Sequence, residues 1–300
     1  MEANVAKFEY IVCEEDKELP IKELLRRNFT FSSRLMTKLK QTEGVLLNGV
    51  PVAGWITPHA NDVITILLPE EKSDFLPEPI PILPVFEDSD LLIINKQPGI
   101  VVHPTKGHPL HTIANGIMQY MMDTDQSFKI RFINRLDMDT SGLLAVAKNS
   151  HSQDEFTKQM KQNKVSKRYE AVVKGIMIDD TGTICIPIGR PDPERVERGA
   201  MENGSPSTTH YKVLERFPKG YTLVELLLET GRTHQIRVHM SHIGHPVVGD
   251  HLYGGENVNL IERQALHAKT LSFCHPVTKK TMELTAPLPQ DLLNLIDKIR

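Results

Sequence analysis

The chain has little that would tie it to an oxidising compartment, a membrane or a bound cofactor. Its three cysteines, Cys13, Cys185 and Cys274, lie far apart with no Cys-x-x-Cys, so they read as reduced, packed residues and not as a disulfide framework. No run of about 18 apolar residues occurs, and with it goes the signature of a transmembrane helix. The N-terminal residues carry no basic segment followed by an apolar stretch; a cytoplasmic protein without a membrane partner is expected. An excess of positive charge is missing too. Lys and Arg number 35 against 38 Asp and Glu, a formal net charge of −3, which argues against a uniformly basic nucleic-acid binder but leaves local cationic patches open. Also absent are Gly-x-x-x-x-Gly-Lys-Ser/Thr, Gly-x-Gly-x-x-Gly, Gly-x-Ser-x-Gly and His-Glu-x-x-His. Nucleotide hydrolysis by a P-loop, a dinucleotide cofactor and an α/β-hydrolase triad thereby lose their usual markers.

What remains is a 300-residue chain of ordinary globular composition, enough for one large domain or two smaller ones. Pro77, Pro79, Pro81 and Pro84 crowd one short stretch; such a segment stays extended, and a spacer over residues 73–86 is expected between domains at 1–72 and 87–300. In the first, Ile21, Leu24 and Leu25 make an apolar stripe at helical spacing. Ser32 or Ser33 caps a second helix built on Leu35, Met36 and Leu39. From residue 21 to 41 the cations are Lys22, Arg26, Arg27, Arg34, Lys38 and Lys40, against Glu23 alone. An Asn48-Gly49 hairpin turn and a strand from Asp62 close the unit. Two short basic helices followed by a small sheet resemble the αL-type RNA-binding domain first seen in a small-subunit ribosomal protein. The matching residues are Ser33 to Leu35, Leu47 to Gly49 and the strand from Asp62. Arg26, Arg34 and Lys38 are the candidate RNA contacts there.

The second domain opens with a buried strand over residues 91–94 and a Lys96-Gln97-Pro98-Gly99 turn. A helix is expected from Thr112 to Met122, and another led by a Ser150/Gln153 capping box with Phe156 and Met160 on its apolar face. Tyr169, Ala171 and Val173 share one face of an alternating strand. Residues 189–207, rich in Pro, Gly, Glu and Arg, are expected as a mobile surface loop. Thr233 is expected to cap a helix burying Ile236, Met240 and Ile243.

The densest chemistry lies at Arg135-Leu136-Asp137. If that stretch is extended, Arg135 and Asp137 share one side while Leu136 anchors in the core; the bland alternative is a surface ion pair beside a turn. Residues 143–147 then form a buried strand. His234, His239, His242, His245 and His251 hint at a metal, but no cysteine pair accompanies them, and no metal site is expected. Arg232 and Arg237, five apart, do not share a face of a regular helix; with one of them in the preceding turn, both approach one cleft.

Arg135-Leu136-Asp137-Met138-Asp139-Thr140-Ser141-Gly142, with Ala147-Lys148 downstream, resembles the catalytic motif of RNA pseudouridine synthases of the large-subunit ribosomal RNA type. Supporting matches are Val101-Val102-His103-Pro104, Tyr169-x-Ala171, Gly231 to His239, Gly249-Asp250 with Tyr253-Gly254, Leu266-His267-Ala268 and His275-Pro276. Two departures stand out: Asn134 where the family usually has His, and a Lys-Pro-x-Gly turn that here reads Lys96-Gln97-Pro98-Gly99. The resemblance implies an α+β catalytic domain on a mixed, mainly antiparallel sheet. It also implies a cofactor-free isomerisation of uridine in RNA of the 23S ribosomal type, by a cytoplasmic enzyme expected as a monomer. It makes Asp137 the essential carboxylate, attacking the sugar or removing a proton from C2′. Arg237 becomes its basic partner, Tyr169 the ring that stacks on the base, and Arg135 the group filling the space of a flipped nucleotide. Lys167 and Arg232 are further expected RNA contacts.

Overall fold

Hydrophobic periodicity separates the chain into two main sheets, the smaller with one core and the larger with a core on each face. The computed structural model describes residues 7–29, 31–69, 71–105, 107–192, 194–255 and 259–300; residues 1–6, at the start of the expected first domain, lie outside it. The N-terminal unit holds β1 (Lys7–Ile11), α1 (Ile21–Phe29), α2 (Ser33–Gln41), β2 (Val45–Leu47), β3 (Val50–Pro51) and β4 (Val63–Leu67). Its antiparallel sheet has the order β1-β4-β2-β3. Ser32 caps α2, its hydroxyl accepting from the Leu35 N–H at 3.3 Å, which satisfies one orphan donor of the first turn. Asn48 and Gly49 both take positive φ, 50° and 83°, the geometry a two-residue hairpin demands. Leu24, Leu25, Leu35 and Leu39 bury against Phe8, Ile64 and Ile66. Strand β1 is not among the expected elements, although Phe8 and Tyr10 alternate there; its register, Phe8 opposite Ile66, completes this core.

The proline-rich stretch is extended but is no free spacer. The Asn115 amide donates to Leu76 O at 2.8 Å, the Gln97 amide donates to Pro81 O at 3.1 Å, and Phe75 and Ile82 pack on the second core. Its end already belongs to the large sheet: β5 (Pro84–Glu87) pairs with β6 (Leu91–Lys96), so the strand starts inside the expected linker.

There follow α3 (Ile113–Asp123), β7 (Arg131–Phe132), β8 (Ser141–Ala147), α4 (Ser150–Lys161), β9 (Ser166–Lys174), β10 (Thr181–Cys185), β11 (Ile188–Gly189), β12 (Gly199–Ala200), β13 (Thr208–Phe217), β14 (Tyr221–Leu228), α5 (Gln235–His242), β15 (Leu266–Cys274), β16 (Thr281–Thr285) and α6 (Gln290–Ile299). The large sheet runs β10-β13-β14-β9-β15-β8-β6-β5, with β16 added to β15 and β7 to β8. It is mixed but mainly antiparallel, β15 and β8 forming a parallel pair, as the α+β reading expects. Both β6 and β8 are apolar on both faces because both are covered. Leu92, Ile94, Leu144 and Val146 meet α3 on one side; Leu91, Ile93, Leu143 and Ala145 meet Phe156 of α4 on the other.

Three local expectations are corrected. Helix α4 is capped by Asn149, whose side chain accepts from Ser152 N–H at 2.9 Å, and not by a Ser150/Gln153 box; Asn149 is also fixed by Asp90 at 2.7 Å. Helix α5 is preceded by His234 in the left-handed region, φ 58°, and not by a Thr233 cap. Residues 189–207 are not wholly irregular: β11 and β12 pair across that segment, and Arg198 N–H donates to the Tyr253 hydroxyl at 2.8 Å.

Candidate active site

The Arg135–Asp137 stretch follows β7 and leads into β8. Leu136 is buried, Arg135 exposed and Asp137 between, the alternation expected of an extended segment. Asn134 fixes where it starts: its side-chain amide donates to Leu143 O at 3.1 Å and its oxygen accepts from Ala145 N–H at 2.8 Å, so it pairs with β8 as a strand would. At the other end Gly142 has φ +109°, and a Cβ there would lie 2.3 Å from Ala268 O. Only glycine permits that backbone and the close approach of β15.

The turn after Asp137 is gripped from below through its carbonyls. Thr140 N–H returns to Asp137 O at 3.1 Å. Lys96, fully buried, donates from Nζ to Met138 O and Gln97 O at 2.8 Å and to Thr140 O at 3.0 Å. Burial pushes its ammonium down to about 7, with Arg263 adding to the shift and the charges of Asp139 and Asp137 opposing it. Arg263 donates to Asp139 O at 2.9 Å while paired with Asp291 at 2.6 Å. Asp139 thus enters the site through its backbone carbonyl.

Asp137 does not pair with Arg135. Its Oδ2 accepts from Arg237 Nη1 at 3.0 Å, and His234 Nε2 lies 3.8 Å away. Arg237 is held in turn by fully buried Asp250 through a two-pronged contact, Nε to Oδ2 at 2.7 Å and Nη2 to Oδ1 at 2.9 Å. Its guanidinium carbon lies 5.0 Å from the Tyr253 ring centroid, a cation–π arrangement. Burial alone would lower the Arg237 pKa, but Asp250 and then Asp137 raise it above the ordinary arginine value. The cation is permanent.

The turn before α5 supplies the opposite wall. Gln235 staples it, its Oε1 accepting from the Thr230 hydroxyl at 2.8 Å and from Arg232 N–H at 3.0 Å. Arg232 sits in that turn and Arg237 in the helix, so both reach the pocket lined by Arg135, Asp137, Tyr169 and His234. Tyr169 projects from the buried face of β9. Burial and the nearby Asp137 charge raise its pKa, which keeps the phenol neutral. His234 is lowered by burial and by Arg237, against the pull of Asp137.

Of the residues singled out in the sequence, Arg135, Asp137, Tyr169, Arg232 and Arg237 therefore converge. Lys167 lies beside the same turn: a Cβ added to Gly231 would meet its Nζ at 3.7 Å. Arg34 and Lys38 line a separate cleft between the two units, which Arg135 also borders. Arg26 is exposed on α1 and lines neither cavity. The five histidines from 234 to 251 do not converge; His239 bonds Thr209 at 2.9 Å, and His245 and His251 bond the carbonyls of Lys174 and Glu262 at 2.9 and 3.0 Å. Among the described residues, the one metal-compatible grouping is Asp88, Asp90 and His275, whose polar atoms already bond one another or Asn149 and Ser152. Lys96 and Arg263 belong to the site without any local signal in the sequence. Nothing in a local pattern marks a lysine or arginine that will grip another segment's carbonyls.

The model of the family described as RNA pseudouridylate synthase matches residues 90–242, a span that includes Asp137, Tyr169 and Arg237. The chain is 40% identical over 292 residues to an uncharacterized RNA pseudouridine synthase of Bacillus subtilis, YlyB, covering 96% of each protein. It is 40% identical over 244 residues to ribosomal large subunit pseudouridine synthase D of Escherichia coli, covering 77% of this chain and 74% of that one. Among solved structures, human RNA pseudouridylate synthase domain containing 1 aligns with a TM-score of 0.57 at 31% identity, over 69% of this chain and 83% of the human one. A match that runs nearly end to end, on a shared fold and across the converging side chains, makes the chain a member of the RNA pseudouridylate synthase family and the protein an RNA pseudouridine synthase.

Proposed function

We propose that this enzyme isomerises specific uridines of large-subunit ribosomal RNA, with Asp137 as the essential carboxylate. The observation that carries the reading is the 3.0 Å contact between Asp137 and an arginine that Asp250 locks in place. The reaction breaks the bond from ribose C1′ to uracil N1, turns the base, forms the bond from C1′ to C5, releases the C5 proton and leaves N1 protonated. Asp137 either attacks C1′, giving a covalent intermediate that divides one hard step into two, or removes the C2′ proton. Both roles need a carboxylate whose direction and charge are fixed beforehand, which is what Arg237 supplies. Tyr169, neutral on the pocket wall, stacks on the flipped uracil. Arg135, exposed at the rim, takes the space the nucleotide leaves, a guanidinium plane replacing lost base stacking.

The N-terminal unit, residues 1–72 in this reading, is an αL-type RNA-binding domain, and residues 87–300 form the catalytic domain beyond a proline-rich connection. Arg26, Arg34 and Lys38 contact RNA backbone, as do Lys167 and Arg232 nearer the chemistry. Ribosomal RNA is favoured because relatives 40% identical over 77% of this chain and 74% of their own are named for it. The enzyme acts as a cytoplasmic monomer without a cofactor or a membrane partner. Among the described residues no helix is long and apolar enough to cross a membrane.

The test is tritium release from C5-labelled large-subunit ribosomal RNA. Wild type should release label at discrete uridines and Asp137→Asn should release none, with both proteins binding the RNA. Absence of release by wild type, or full turnover by Asp137→Asn, removes this reading.

A further inference from the structure

The cleft between the two units has a volume of about 660 Å³. Arg34 and Lys38 of α2 border it on one side, Lys129, Arg131 and Arg135 on the other, with Glu71 and Asp154 as its acidic members. The N-terminal turns of α2 and α4 also border it, through Ser32 and Ser150; backbone N–H groups there favour anions. Glu71 is where the cations meet. Its Oε1 accepts from Lys38 Nζ at 3.0 Å and lies 3.9 Å from Lys129 Nζ, and its Oε2 accepts from Arg131 Nη2. Burial raises the Glu71 pKa, but the Lys38 hydrogen bond and the charges of Arg131 and Lys38 more than offset it, leaving the carboxylate below its ordinary range. One carboxylate facing three cations from two domains is the arrangement that the oxygens of a phosphate diester would also satisfy.

We propose that this cleft is a binding site for an RNA backbone phosphate on the strand that enters the Asp137 pocket, and that Glu71 holds the site in the free enzyme until the phosphate displaces it. Continuity selects RNA over an acidic protein segment, because Arg135 and Leu136 border both this cleft and the Asp137 pocket. A strand seated here is already at the rim where a uridine would be flipped. Lys38 on one unit and Arg131 on the other would then grip RNA in place of Glu71, joining the basic helix to the catalytic domain through the substrate. The inference rests on the reading of the enzyme as an RNA modifier, but its readout is binding and needs no turnover.

The probe is an unmodified large-subunit ribosomal RNA transcript, bound to the full chain over a range of salt concentrations. Glu71→Gln removes the competing charge and is expected to bind about tenfold more tightly. Lys129→Ala, whose side chain is half exposed and so leaves the fold intact, is expected to bind several-fold more weakly, with a log–log salt slope shallower by about one. Weaker or unchanged binding by Glu71→Gln overturns the proposal, as does wild-type affinity and slope in Lys129→Ala, the result expected if the cleft serves a protein partner. Failure of the isomerase reading would show differently, as no tritium release by wild type whatever these affinities are.

Discussion

Asp250→Asn isolates the positioning of the proposed catalytic pair, Asp137 and Arg237. Asp250 is fully buried and accepts two hydrogen bonds from Arg237, besides one from Leu252 N–H at 3.1 Å. An asparagine keeps one oxygen, able to serve Leu252 and one guanidinium N–H, but it replaces the second acceptor with a donor facing a donor and deletes the charge. Breaking one partner of a buried pair costs roughly 3–5 kcal/mol; the retained oxygen and the surviving contact to Asp137 place this variant near 3. At roughly 2–4 °C per kcal/mol for large domains, the melting temperature should fall by about 6–12 °C. The catalytic effect is separate. Arg237 loses the support that aims Nη1 at Asp137, and a displacement of about 1 Å at a reacting centre costs on the order of 100-fold in rate. Single-turnover tritium release at saturating RNA, well below the melting temperature, should therefore drop about 100-fold while RNA affinity changes little. A variant that melts early yet turns over within twofold of wild type would refute the claim that Asp250 acts through Arg237 on Asp137.

Other consequences follow from buried groups. His151 and His267 are pushed down by burial from 6.5 to about 4, so between those values the unfolded chain binds more protons than the native one, and stability must fall as pH drops. Each contributes a loss of roughly 1.5 kcal/mol between pH 6.5 and 5. Urea midpoints at the two pH values measure it, and a flat profile contradicts the burial argument. His151 makes T-shaped contacts with Phe8 and Phe31, ring centroids 5.4 and 5.0 Å apart, across the boundary between the two units, so His151→Gln should remove its share of this acid loss and leave that of His267. Asn134→Ala removes two hydrogen bonds to β8 and strands the buried Ala145 N–H. About 2 kcal/mol of stability should be lost on denaturant titration, with slower turnover because the residue anchors the stretch carrying Arg135 and Asp137. Wild-type turnover in this variant would show that the chain finds that geometry without it.

Side-chain alternation and turn chemistry act over a few residues, and features of that range were legible in the sequence. The Asn48-Gly49 hairpin, the apolar faces of α1 and α2 and the both-sides-buried run of β8 needed only their own neighbours. So did the inward Leu136 between Arg135 and Asp137. Caps are less legible. Asn149 displaced Ser150 because it also bonds Asp90, a residue far away in the chain. His234 displaced Thr233 because Gln235 already satisfies the turn before α5.

By itself, the sequence determined which residue types could do chemistry, where the basic helices lie and which motif family they resemble, since all of these depend on composition and short-range order. Tertiary structure decided who partners whom. Asp137 meets Arg237, a hundred residues away, and not Arg135, two residues away, because an extended backbone sends those two neighbours alongside each other into the cleft while α5 delivers Arg237 across it. Asp250 behind Arg237, Lys96 beneath the turn and Glu71 between the two units are equally invisible to periodicity. Each acts on groups that only the folded sheets bring within reach.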